Sequence, residues 1–211
     1  VPTGTWRGLG LLANTFALEG FMDELAHAAG EEPLAFRLKH LSEDDVMQRR
    51  WRRVLEAAAR HAGWGTAAPE GRARGLACSV DSNTVVAQVA EVSVEDGRIR
   101  VHRITCAVDC GLVVNPDGAT AQTEGAVMMG LSSTLSERIT FKDGQVEAEN
   151  FYHYPLLTMA DAPDIETLLV GEGDTPHGMG EPPLGPVAAA VANAVFALTG
   201  QRLRSLPLRL G

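Results

Sequence analysis

The sequence of 211 residues holds only three cysteines, Cys78, Cys106 and Cys110, and its aromatic content is 5%. An odd number of cysteines without regular spacing makes a poor disulfide framework, so all three are expected to be small buried hydrophobes. No uninterrupted apolar run reaches the roughly 18 residues that a membrane span needs. The longest mostly apolar stretch, Val187 to Val195, is broken by Asn193, and no membrane-spanning segment is expected. A basic surplus is also missing. The net charge of −9 excludes the positive footprint of a general nucleic-acid binder. The six histidines form no HxH or HxxxH pair, so none is read as a metal ligand. The opening Val1-Pro2-Thr3 has no Met, basic segment or apolar leader. It reads as part of a longer chain, which leaves the compartment, cytoplasmic or periplasmic, unassigned.

An apolar fraction of 45% with 21% charged residues is that of a globular protein able to bury a sizeable core. The spacing predicts an α+β fold: N-terminal helices, central antiparallel hairpins with a packed helix, and a buried apolar C-terminal helix. Residues 1–65 read as the helical segment. Leu18, Phe21, Met22, Leu25 and Ala29 fall on one helical face, closed by Gly30. Pro33 suits the first turn of a second helix. Ser42-x-x-Asp45 resembles a capping box before a third, carrying Met47, Trp51, Val54, Leu55, Ala58 and Ala62. Residues 66–75 read as a connector, and 76–211 as an α+β segment. In that segment, Asp96-Gly97 and Asp143-Gly144 are hairpin turns. Asn115-Pro116 caps a helix reaching about Leu135, whose Gly125 and Gly130 permit close backbone approach. Asp164 to Val170 is a further strand.

The chemistry-bearing candidates are few. Between Pro186, read as the first helical residue, and Gly200 no side chain is charged, and a helix apolar on every face belongs inside a protein. Its N-terminus leaves N–H groups that want an anion, a polar cofactor or a side-chain acceptor. Glu181, in GMGEPPLG, stands about one turn upstream. By spacing alone it is either a carboxylate satisfying those N–H groups or a general base beside a ligand. Arg7, in TWRGLG, is either a surface ion-pair partner or part of a site. Gln122, on the glycine-containing helix, is either solvated or functional.

Taken together, WRGLG, NTFALEGFMDELAHAAGEEPLAFRL, AVDCGLVVNPDGATAQTEGAVMMGL, NFYHYPLLTM and GMGEPPLGPVAAAVANAVFALTGQRLRSLPL resemble, in order, the C-terminal part of the molybdenum-binding large subunit of the xanthine oxidase family of molybdenum hydroxylases. The closest likeness is to the bacterial isoquinoline oxidoreductase and aldehyde dehydrogenase branch. The resemblance covers almost the whole chain and implies one segment of a larger molybdopterin-binding domain. It implies that Glu181 is the catalytic base of a hydroxylase acting on aldehydes or N-heterocycles with water as oxygen donor. Arg7, Gly8, Gln122 and Gly180 then contact the molybdenum cofactor, in its plain or cytosine dinucleotide form, with no metal ligand from the protein. Leu9 stands where several relatives carry an aromatic that stacks on flat substrates, a departure that fits aliphatic or aldehyde substrates. The implied partners are the remainder of the large subunit, a small [2Fe–2S] subunit and a flavin or cytochrome subunit. They carry the iron–sulfur clusters and any flavin, since no cysteine pattern here holds a cluster. The N-terminal helices or the face beside Arg7 are expected to dock on the missing part.

Two other readings follow from the residues. The branch's upstream cofactor segments are missing from this chain, which allows a non-catalytic fold fragment or assembly module. A stand-alone glutamate-dependent hydrolase needs a second carboxylate against Glu181, for which Asp174 is the nearest candidate.

Overall fold

A computed structural model describes residues 3–211; Val1 and Pro2, at the start of the expected longer chain, lie outside the described residues. Three helices open the fold: α1 (Leu11–Ala28), α2 (Pro33–Lys39) and α3 (Val46–His61). Strands β1 (Arg72–Asp81), β2 (Thr84–Glu95) and β3 (Arg98–Asp109) follow, then α4 (Pro116–Leu135). A short ribbon of β4 (Phe141–Lys142) and β5 (Gln145–Val146) precedes β6 (Asp164–Leu169) and the last helix, α5 (Val187–Thr199). The α+β class is as expected.

Strand order in the main sheet is β1-β2-β3-β6. The first three form an antiparallel meander, and β6 runs parallel to β3. Two details therefore depart from expectation. The Asp143-Gly144 turn forms, but it joins a separate two-stranded ribbon rather than a central hairpin. The other hairpin is as read: Asp96 and Gly97 take φ of 50° and 74°, the left-handed pair that a two-residue turn requires. The expected connector also ends early, because Arg72 to Gly75 already pair with Glu91 to Ser93 and Ala90 on β2.

Helices cover both faces of the sheet, and alternation along the strands separates two cores. Ala77, Val86, Ala90, Ile104, Cys106 and Val108 face α4 and α5. Leu76, Cys78, Val85, Ala87, Val89 and Ala107 face α3. All three cysteines are buried. Helix α5 lies directly on β1: a Cβ at Gly75 would sit 2.1 Å from the Ala194 backbone nitrogen. The alanine-rich sequence permits that approach, and Val187, Val191 and Val195 are each fully buried, contributing about 1.5–3 kcal/mol apiece relative to exposure. Gly200 ends the helix with φ of 74°, its N–H donating to Phe196 O. By length and composition alone the segment Pro182–Thr199 is apolar enough to cross a membrane, but 78% of it is buried inside this fold, as expected of a core helix.

Helix α1 reverses its expected orientation. Leu18, Phe21 and Leu25 are exposed, whereas the buried face carries Leu12, Thr15, Glu19, Asp23 and Ala26. The acidic side chains are buried because distant groups satisfy them. Glu19 accepts from Arg37 Nε at 2.9 Å and from the Cys78 N–H at 3.0 Å. Asp23 accepts from Arg202 Nη1 at 2.6 Å. Ser42 does not cap α3; Asp45 does, accepting from the Gln48 N–H at 2.8 Å.

Candidate active site

Glu181 stands at the junction between an exposed glycine segment, Gly178 to Gly180, and the buried start of the α5 region. A single 3-10 turn, Pro182–Leu184, separates it from α5, so Pro186 is the N-cap rather than the first helical residue. The Glu181 side chain makes no capping hydrogen bond to that turn. Its Oε1 instead accepts from the Gly8 N–H at 3.2 Å, across 173 residues of sequence. The expectation that this carboxylate satisfies helix N–H groups is thus replaced: it is turned toward the TWRGLG loop.

That loop forms one wall of the site. Gly8 has φ of 82° and Leu9 has φ of 49°, so a left-handed pair folds the chain back and presents the Gly8 amide to Glu181. Leu9 is left 67% exposed at the tip. Among the described residues Arg7 makes no surface ion pair, and its bonds run inward. Its Nε donates to Gly180 O at 2.6 Å, and its Nη2 donates to Gln122 Oε1 at 2.9 Å and Gln122 O at 3.2 Å. Partial burial lowers the Arg7 pKa from its ordinary value, while the Glu181 charge opposes that shift. The guanidinium stays a cation at neutral pH. Arg7, Gly8, Gln122, Gly180 and Glu181, five residues singled out in the sequence, therefore converge on one place.

The sheet holds the same segment from the other side. Thr84 Oγ1 donates to Gly178 O at 2.5 Å, and the Gly178 N–H donates to Ser82 O at 3.3 Å. Gln88, fully buried in the middle of β2, donates from Nε2 to Pro183 O at 2.6 Å. These contacts over-determine the backbone on both sides of Glu181. Thr84 and Gln88 escaped the sequence reading, although a glutamine inside the β-branched run TVVAQVAEV is a visible signal of a buried polar task. Gly130 confirms its expected purpose, since a Cβ there would meet Val187 Cγ2 at 2.9 Å. Gly125 does not bring two backbones together; a Cβ there would sit 3.7 Å from Arg7 Nη1.

Asp174 is exposed, and its Oδ1 accepts from the Thr175 hydroxyl at 3.2 Å; no hydrogen bond joins it to Glu181 among the described residues, which removes the support for a two-carboxylate hydrolase. Among the described residues no group of three His, Cys, Asp or Glu side chains is placed to hold a metal ion. A cleft of about 930 Å³ lined by Arg98, Arg100, Leu157, Asp161, Leu208 and Arg209 involves none of the five convergent residues.

What the arrangement offers is a half-buried carboxylate with one oxygen held and the other without a hydrogen-bond partner among the described residues. Beside it lies open backbone: a Cβ built on Gly180 would meet nothing within 4 Å. Gln122 is exposed there, its side-chain oxygen taken by Arg7. A flat polar ligand carrying oxygen and nitrogen atoms fits such a surface.

Comparison with known proteins bears on what that ligand is. A family model described as "Molybdopterin cofactor-binding domain" matches residues 17–163, a span that includes Gln122 but neither Arg7 nor Glu181. The beta subunit of isoquinoline 1-oxidoreductase from Brevundimonas diminuta is 36% identical over 208 residues, which are 96% of this chain and 26% of that protein. A nicotinate dehydrogenase subunit of Pseudomonas putida is 34% identical over 222 residues, covering 96% of this chain and 18% of that protein. The chain thus spans about a quarter or less of the length of these relatives. In fold it resembles the crystal structure of quinoline 2-oxidoreductase from Pseudomonas putida 86, with a TM-score of 0.84 at 13% identity, over 98% of this chain and 52% of that one.

Proposed function

Since the chain belongs to the molybdopterin cofactor-binding domain family, within the molybdenum hydroxylases, we propose that it supplies the catalytic base of such a hydroxylase, with Glu181 in that role. The observation that carries the proposal is the convergence of Arg7, Gly8, Gln122 and Gly180 on a carboxylate turned away from the helix it precedes. A bound molybdenum cofactor supplies the two-electron redox centre. The chain's own residues supply position and proton transfer. Glu181 Oε1 is held by the Gly8 amide, and Oε2 is the oxygen that takes a proton from water as it becomes the nucleophile. The open backbone at Gly180 and the Gly8 loop would hold the pterin, and Gln122 would hold the Arg7 guanidinium beside it. Leu9 forms an apolar wall of the substrate pocket, where its lack of an aromatic face favours aldehydes over strongly stacked heterocycles.

The substrates, by this reading, are aldehydes or N-heterocycles. The pterin is in its plain or cytosine dinucleotide form. The remainder of the large subunit closes the site, and a [2Fe–2S] subunit with a flavin or cytochrome subunit carries electrons away. The short coverage of the relatives supports the dependence on further chain. The alternative is a non-catalytic fold fragment or assembly module.

Glu181→Gln in the full-length large chain, assembled with its partner subunits, separates these readings. The expected result is molybdenum near one per large chain and a turnover reduced at least ~10²-fold, the low end for a lost general base. Near-normal turnover overturns the assignment, and a wild-type assembly without molybdenum supports the module.

A further inference from the structure

Helix α4 presents one face to Arg7. Gln122 and Met129 lie seven residues apart with Gly125 between them, a spacing that aligns all three. Gln122 takes Arg7 Nη2 through both its side-chain and backbone oxygens, Met129 Sδ stands 3.6 Å from Nη1, and Gly125 leaves room for the guanidinium. The socket is rigid because its own helix is anchored: Ala126, Val127, Gly130 and Leu131 are buried against the α5 side of the core. From the socket, Nε reaches the carbonyl of Gly180, the residue immediately before Glu181. The next residue of the same loop, Gly8, holds the Glu181 carboxylate through its backbone N–H. Residues 7 and 8 thus grip residues 180 and 181 by two bonds, one from a side chain and one from the backbone.

A guanidinium has five N–H donors. Here Nε and Nη2 point to three oxygen acceptors and Nη1 approaches a sulfur, all within the protein. Most of this group's hydrogen-bonding capacity is therefore spent inside the chain.

We propose that Gln122 is a positioning residue that acts through Arg7, fixing the guanidinium so that it fixes the backbone of Glu181. This rests on the reading of Glu181 as the base and says how its geometry is set. Proton transfer needs donor and acceptor within about 2.6–3.2 Å, and a displacement near 1 Å costs about 10²-fold.

The test uses the full-length large chain in its assembled enzyme. Gln122→Met keeps the volume and removes the acceptor; Gln122→Glu keeps an acceptor oxygen. Gln122→Met is expected to lower kcat by about 10-fold or more, with KM and molybdenum content unchanged, and Gln122→Glu to recover most of it. In a Glu181→Gln background, Gln122→Met is expected to add no further loss, since the positioned group is gone. A second readout needs no turnover. In the cofactor-free full-length chain, amide exchange over residues 174–185 is expected to quicken about 10-fold in Gln122→Met and not in Gln122→Glu. Loss of molybdenum in Gln122→Met, or a loss that adds fully to that of Glu181→Gln, overturns the relay and makes Gln122 a cofactor ligand in its own right. Unchanged exchange alongside a collapsed Glu181→Gln turnover overturns the relay alone, whereas normal turnover of Glu181→Gln overturns the base assignment and this inference with it.

Discussion

Gly185 sits between the catalytic candidate and the buried helix, and alanine there sets two effects against each other. Its backbone is helical, with φ of −55° and ψ of −53°, so alanine gains about 0.5–1 kcal/mol in conformational terms. Its new methyl, however, would lie 2.6 Å from Ser79 Oγ and 2.9 Å from Leu11 Cγ. Overpacking of this kind costs about 1–3 kcal/mol, and contacts this short belong at the upper end. The net expectation is a loss of about 1–2 kcal/mol, because the steric term exceeds the conformational one. Ser79 offers an internal control. It is 4% exposed and its hydroxyl has no partner among the described residues. Ser79→Ala alone should therefore be neutral or stabilising by up to about 1 kcal/mol, and it clears the shorter contact. The double variant should recover about half of the Gly185→Ala loss, Leu11 remaining in the way. Denaturant midpoints of the four full-length proteins give the coupling, expected near 1 kcal/mol and well above the ~0.3–0.5 kcal/mol scatter of independent sites. Additive effects, or a Gly185→Ala protein as stable as the parent, would refute the packing account of this junction.

Glu19→Ala strands Arg37, whose side chain is 3% exposed, and should cost about 3–5 kcal/mol; a denaturant midpoint within experimental error of the parent contradicts that. Burial, aided by the nearby Arg72 charge, holds the His102 pKa below its ordinary 6.5. The folded chain then binds fewer protons than the unfolded one just below that pH. Its contribution to stability is present above about 6.5 and lost as pH falls through the folded value. His102→Gln should flatten this slope in midpoints measured on either side of 6.5, and an unchanged slope assigns it elsewhere.

Local chemistry was legible wherever a few adjacent residues decide the outcome. Asp96-Gly97 and Asp143-Gly144 turn as read, Asn115 caps α4 by accepting from the Gly118 N–H at 3.0 Å, and Gly200 stops α5. The apolar face assigned to α1 was misread for an equally physical reason. Periodicity reports which residues share a face, and the face that is buried depends on what waits opposite. Arg37 and Arg202 wait for Glu19 and Asp23, while Leu18, Phe21 and Leu25 stay in solvent. The parallel pairing of β6 with β3 is likewise a long-range choice that no turn dipeptide announces.

The site divides along the same line. Residue order by itself determined that Glu181 is a lone carboxylate before a wholly apolar helix, and that Arg7 and Gln122 stand beside glycines that admit close neighbours. Only the tertiary structure decided that the carboxylate leaves its own helix for the Gly8 amide, and that Gln122 reaches Glu181 by way of Arg7. Those bonds join residues more than a hundred positions apart. A hydrogen bond at that separation is set by how the sheet and helices pack, and neighbouring residues carry no record of it.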